Sequence, residues 1–265
     1  MTGLSHLKEA LSRHLSKDKA VFVGESAGCH GLSVGLPGRL LRLPLSEEGI
    51  VGVAVGMALT GQQVIVELRD PSGIGRAFSA LHDAAGVADR ADGFPLSLVI
   101  LVPAGERSPR VPAGVRLLAA AAPRDTADLL EQAIATPGIA VLLLAAEALN
   151  GDLGASGAGP GAMVRQSGSA CTVLAWGPGV AAAEEAAATF EEGTVEVLDL
   201  RMLAPLDRPA VARSVQQTGR VVTVSGGRTL VTAVQEAFLY LKSPPVDVPA
   251  SASAIAAAIR SSIDY

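Results

Sequence analysis

Pro44-Leu45-Ser46-Glu47-Glu48-Gly49-Ile50-Val51-Gly52-Val53-Ala54-Val55-Gly56 is an acidic turn running straight into an apolar stretch with glycines at 49, 52 and 56. The stretch predicts a helix from about Glu48 to Leu59. Its glycines let another backbone come close, and the apolar residues between them suit a buried interface. A carboxylate at the mouth of such a helix is partly desolvated, so its proton is expected to be easier to keep or exchange near neutral pH than that of a surface glutamate. A glutamate here also suits the positive end of the helix dipole with no further role, and the stretch alone leaves both readings open.

On the N-terminal side, Leu4, Leu7, Leu11 and Leu15 recur at helical spacing, and Ala20 to Gly24 reads as a short buried strand. That strand ends in Glu25-Ser26-Ala27-Gly28-Cys29-His30-Gly31, a polar loop at the carboxyl end of a parallel strand, where open α/β sheets place their ligands. A connection containing Gly and Pro then leads to the opening helix. On the C-terminal side, Val64 to Leu68 is a strand with Glu67 at its exit, and Ile74, Phe78, Leu81 and Ala85 mark one amphipathic helix. Strands follow at 96–102, 115–119 and 139–145, with a helix after the capping residues Asp125 and Thr126. The alternation is that of a doubly wound α/β domain over residues 1–150.

Residues 151–168 are rich in Gly, Ala, Ser and Pro without periodicity, the composition of a linker. Residues 169–265 repeat the α/β logic as a second doubly wound domain, with strands at 171–175, 195–198 and 220–224 and helices at 180–190, 207–217, 229–241 and 250–263.

Bulk composition narrows the class. At 49% hydrophobic and 18% charged, with a mean hydropathy of +0.39, the chain is globular with much buried surface, and so little charge suggests a covered face. A net charge of -5 and 3% aromatic residues argue against nucleic acid. Cys29 and Cys171 stand far apart, which implies neither a zinc site nor a disulfide scaffold and fits a reducing cytoplasm. The N-terminus carries no apolar core of signal-peptide length, and no apolar run approaches the roughly 20 residues of a bilayer span.

Gly24-Glu25, Pro44 to Glu47, the run Gly49 to Ala58 and Gly61 together resemble the pyrimidine-binding domain of thiamine-diphosphate enzymes. The pattern is similar to the beta subunit of the decarboxylating component of 2-oxo-acid dehydrogenases, a relative of the second half of transketolase. Thr172 to Gly177, Val197 to Asp207 and Ser214 to Val222 resemble that family's C-terminal domain in the same order. The resemblance implies that Glu47 hydrogen-bonds a ring nitrogen of the cofactor's aminopyrimidine and, by sharing a proton there, helps arm the thiazolium carbon. It places Gly49 in the same cofactor-binding turn and matches Glu25 and Glu67 to acidic positions near the subunit interface. Those two also read as ordinary salt-bridged strand ends.

The resemblance also shows what is missing. No Gly-Asp-Gly motif is present, so an alpha-type partner is expected to hold the diphosphate and its Mg2+, in an αβ pair doubled to a heterotetramer. The loop after Pro103 is short and lacks the family's histidine, and Arg69-Asp70-Pro71-Ser72-Gly73 stands where the family has a stacking aromatic. Phe78, the nearest aromatic, has core spacing. His6 and His14 read as solvated, His82 as structural or interfacial, and His30 as a candidate replacement acid or base. Two functions stay open: an enzyme subunit passing an acyl or two-carbon ketol unit to an acceptor, which a carrier protein would suit, or a degenerate scaffold of such a complex.

Overall fold

The computed structural model describes residues 1–17, 19–25, 32–44, 46–90, 96–153, 159 and 161–265. The chain divides into two compact units, one of Met1–Ala104 with Pro109–Gly159 and one of Gly105–Ser108 with Pro160–Tyr265.

The N-terminal unit runs α1 (Gly3–Leu15), β1 (Ala20–Glu25), β2 (Arg39–Leu43), α2 (Glu47–Leu59), β3 (Gln63–Glu67), α3 (Ser72–Arg76), α4 (Phe78–Arg90), β4 (Ser97–Pro103), β5 (Val115–Ala120), α5 (Asp125–Ala135), β6 (Gly138–Leu144) and α6 (Ala146–Asn150). Within this unit the strands lie in the order β5-β6-β4-β3-β1-β2, every pair parallel. The inner strands are apolar along their length because a parallel sheet is covered on its faces; β1 is buried at all six positions. Strand β2 (Arg-Leu-Leu-Arg-Leu) lies at the sheet edge and is at most half-buried, so the sequence offers no apolar run there and reads instead as connection.

Helix α2 starts where the acidic turn predicts. Ser46 is its N-cap, with Oγ accepting from the Gly49 N–H at 3.2 Å, and Glu47 and Glu48 fill the first turn at the positive end of the dipole. Ile50, Val51, Ala54 and Ala58 are buried, whereas Gly49, Gly52, Val53 and Gly56 form an exposed face. A Cβ at Gly52 or Gly56 would meet nothing within 4 Å.

The single helix expected over 74–85 is two. α3 ends at Arg76 and α4 begins at Phe78, which turns this aromatic outward at 37% exposure rather than into the core. Helix α5 begins at Asp125 itself and has no side-chain N-cap; Asp125 Oδ2 instead accepts from the Ala122 N–H at 3.2 Å. His14 is also not solvated. It is buried against α5, with Nε2 2.6 Å from Glu131 Oε2, while Arg13 holds Glu131 Oε1 at 2.9 Å. Burial pushes the Glu131 carboxyl up, but the bonds from His14 and Arg13 outweigh it, and the net shift is downward. His82 is exposed on α4.

The C-terminal unit runs β7 (Met163–Gln166), β8 (Gly168–Ala175), α7 (Pro178–Ala187), β9 (Gly193–Asp199), β10 (Met202–Ala204), α8 (Arg208–Thr218), β11 (Val221–Val224), α9 (Gly227–Gln235), a 3-10 turn at 238–240, β12 (Val246–Val248) and α10 (Ala252–Asp264). Its five-stranded sheet has the order β12-β11-β8-β9-β7, parallel except for β7. β7 lies inside the stretch whose composition reads as linker, because an antiparallel edge strand of four residues needs no apolar run. α8 has Asp207 as N-cap, accepting from the Ala210 N–H at 3.1 Å, and ends at Gly219 in the left-handed region.

Candidate functional site

Parallel strands deliver three carboxylates to one end of the N-terminal sheet. Glu25 is the last residue of β1 and Glu67 the last of β3, the register pairs Gly24 with Glu67 and Glu25 with Leu43, and Glu47 opens the helix that follows β2. This is the carboxyl end of adjacent strands, where such sheets bind ligands.

Glu47 is largely shielded, its side chain 13% exposed, and it is clamped. Arg76 Nη2 donates to Oε1 at 2.5 Å and Nε to Oε2 at 3.1 Å, while Nη1 donates to Ser72 Oγ at 2.8 Å. Two parallel bonds of this kind are the fork geometry that suits arginine to carboxylates. The bond from Arg76 and that from Glu47's own backbone N–H hold the carboxyl below its ordinary value, against a smaller upward push from burial. The sequence-based expectation of a proton easier to keep is therefore reversed: burial acts as expected, but a guanidinium outweighs it. Gly73 makes room for the clamp, since a Cβ there would lie 2.9 Å from Glu47 Cγ. Asp70 accepts from the Ser72 N–H at 2.7 Å, which fixes the turn into α3, and the Ser72 hydroxyl followed by this backbone bond holds the Asp70 carboxyl below its ordinary value.

Glu25 is buried at 7% exposure, with Oε2 3.3 Å from Arg69 Nε, an ion pair whose N–H is not aimed as a hydrogen bond. Glu67 is buried at 2% exposure. Gly49 is exposed, and its part in the turn is to donate its N–H to Ser46. His30 lies outside the described residues. Among the described residues no group of three or more His, Cys, Asp or Glu is placed to hold a metal, and no helix is long and apolar enough to cross a membrane.

Sequence reasoning reads Arg69 to Gly73 only as the loss of an aromatic, and does not anticipate Arg76 at all. The signal available was two arginines flanking a Pro-Ser-Gly turn just after a buried glutamate. Their targets depend on how the segment folds back, which no spacing discloses.

The fold and site define an α/β protein with a transketolase-type C-terminal unit: residues 160–259 match the transketolase C-terminal domain family. The chain is 31% identical over 282 residues to the pyruvate dehydrogenase E1 component subunit beta of Leifsonia xyli subsp. xyli, covering 91% of this chain and 82% of that one. It is 29% identical to its counterpart from Acholeplasma laidlawii, covering 93% and 88%, and 29% identical to the 3-methyl-2-oxobutanoate dehydrogenase subunit beta of Mycobacterium tuberculosis, covering 93% and 82%. The chain belongs to this family of E1 beta subunits of 2-oxo-acid dehydrogenases. Its fold is shared with a split-gene transketolase solved as an inactive beta4 tetramer, at a TM-score of 0.78, 20% identity and coverage of 100% of this chain and 98% of that one. A 2-oxoglutarate:ferredoxin oxidoreductase from Magnetococcus marinus is similar at a TM-score of 0.69 and 11% identity, covering 99% of this chain and 65% of that one.

Proposed function

We infer that the chain is the beta-type half of a two-component thiamine-diphosphate enzyme that transfers an acyl or two-carbon ketol unit, and that its N-terminal unit is the pyrimidine-binding half. The observation that carries this reading is the ionised, largely shielded Glu47 at the first turn of α2, beside the carboxyl ends of β1 and β3. A carboxylate fixed there fits a cofactor that needs one acceptor for a protonated ring nitrogen. Thiamine diphosphate, when bound, supplies the carbon nucleophile that attacks the carbonyl of the substrate.

The chain's own residues then have distinct tasks. Glu47 accepts the hydrogen bond from the aminopyrimidine nitrogen and holds or returns its proton. Ser46 and Gly49 fix the turn that carries Glu47. Glu25 and Glu67 are both buried at strand ends at the same end of the sheet, and their proposed task is to pass protons towards the partner subunit. His30 is kept as a candidate acid or base for the substrate side. Since the sequence has no Gly-Asp-Gly motif, the diphosphate and Mg2+ are assigned to an alpha-type partner, in an αβ pair doubled to a heterotetramer. The exposed glycine face of α2 is a surface on which such assembly can bury apolar area. The connection from β4 to β5 is short and contains no histidine, which leaves the rim open to a bulky or carrier-tethered acceptor.

The test is Glu47→Ala in the assembled αβ complex. Turnover is expected to vanish while the complex elutes at its normal size, and unchanged turnover would remove Glu47 from the mechanism. Tight Mg2+-dependent binding of thiamine diphosphate by the chain alone, measured by calorimetry, would refute the split site.

A further inference from the structure

Arg76 has no task in the reading above, yet it makes the closest contact in the site. Its Nε and Nη2 engage both oxygens of Glu47, at 3.1 and 2.5 Å, so the carboxylate that should accept from a ring nitrogen is already occupied. The same segment carries Arg69, whose Nε stands 3.3 Å from Glu25 Oε2. The chain that leaves β3 thus folds back to put a guanidinium on each of two carboxylates at this end of the sheet.

The clamp is built to open. The Arg76 side chain is 51% exposed, so water can take over its donors once a competing ligand draws on Glu47. It sits on α3, a helix of five residues whose N-cap, Pro71, makes no side-chain cap bond. Its backbone is held by Asp70, which accepts from the Ser72 N–H, and by buried Gly73 and Ile74, so release needs only the arginine side chain to turn into solvent. Glu47, by contrast, belongs to a helix of thirteen residues with a bonded N-cap, and stays in place when the arginine leaves.

We propose that Arg76 is a latch on Glu47: in the chain alone it occupies the carboxylate, and an aminopyrimidine must displace the arginine side chain into solvent before Glu47 can accept from the ring nitrogen. The latch rests on the reading of Glu47 as the pyrimidine partner. It makes cofactor capture a competition between two donors for one carboxylate, and it keeps the pyrimidine half-site closed until a ligand enters.

The experiment uses the full-length chain and thiamine as the probe, with affinity read by saturation-transfer NMR for wild type, Arg76→Gln, Glu47→Gln and the double variant. Arg76→Gln is expected to bind thiamine about threefold or more tightly than wild type. The gain is expected to disappear in the double variant. Arg76→Lys, which keeps the charge but not the fork, should fall between wild type and Arg76→Gln, and far-UV circular dichroism checks that each variant is folded. In the wild type, the 13C carboxyl signal of Glu47 should move as thiamine is added. If Arg76→Gln binds no more tightly than wild type while Glu47→Gln weakens binding, the latch is refuted and the role of Glu47 survives. If Glu47→Gln changes binding in neither background, the role of Glu47 fails and the latch falls with it.

Discussion

Replacing Gly73 by Ala puts a methyl group where the site has no room. The added Cβ would lie 2.9 Å from Glu47 Cγ, 3.3 Å from Glu47 Cβ and 3.3 Å from Leu68 Cδ1. Carbon atoms pack best at about 3.5–4.0 Å, so the closest contact is short by roughly half an ångström or more. Neither neighbour gives easily: Leu68 is buried at 1% exposure, and the Cβ and Cγ of Glu47 are held at their root by helix α2. Overpacking of this kind costs about 1–3 kcal/mol. Alanine also brings gains, roughly 1 kcal/mol of helix propensity together with a smaller unfolded-state entropy. Gly75→Ala isolates the clash, because Gly75 lies in the same helix, is exposed and has nothing within 4 Å of its would-be Cβ. In equilibrium urea denaturation Gly75→Ala should be neutral or slightly stabilised, and Gly73→Ala should lie about 1–3 kcal/mol below it. The Glu47 carboxyl should also titrate closer to its ordinary value in Gly73→Ala, as the methyl levers it away from Arg76. Equal stability of the two variants would show that the packing around Glu47 is not as described.

Other outcomes follow from single contacts. Because the folded-state Glu47 carboxyl lies below its ordinary value of 4.5, the clamp contributes its stability in full above that value and loses it as pH falls through the lower folded value. Denaturation midpoints of wild type and Arg76→Gln should therefore converge on acidification, and a gap that widens instead would contradict the assignment. Burial pushes the Cys171 thiol up to about 12, with the charge of Arg220 pulling weakly the other way. Peptide mapping should find Cys171 unmodified by iodoacetamide in the native protein and modified once denaturant is added. Thr172 Oγ1 donates to Glu196 Oε1 at 3.0 Å in the buried heart of the C-terminal sheet, beside Thr218. Thr172→Val should lower stability by about 1–3 kcal/mol in a thermal melt, and an unchanged melt would mean that Glu196 finds another donor.

The amino-acid sequence by itself determined the elements whose signal is local. Continuous apolar runs specify β1, β3, β4, β6 and β8, and the acidic turn before a glycine-spaced apolar stretch locates the start of α2 to one residue. Glu25, Glu47 and Glu67 are legible as a set because each stands at a strand exit or helix mouth, a position that the alternation of strands and helices fixes. Edge strands β2, β7 and β12 escaped because a strand with one partner and an exposed side carries no apolar run. The break between α3 and α4 escaped for a related reason: a common helical spacing continues through Ile74, Phe78 and Leu81 although the backbone does not. Only the tertiary structure decided what Glu47 touches. Arg76 lies 29 positions further on and reaches it because the chain turns back over Gly73, a residue small enough to let the two side chains meet. Burial, which sequence can anticipate, raises a carboxyl's affinity for its proton, whereas a charge brought in from a distant segment lowers it. That second effect depends on a distance of a few ångströms, which only the folded chain sets.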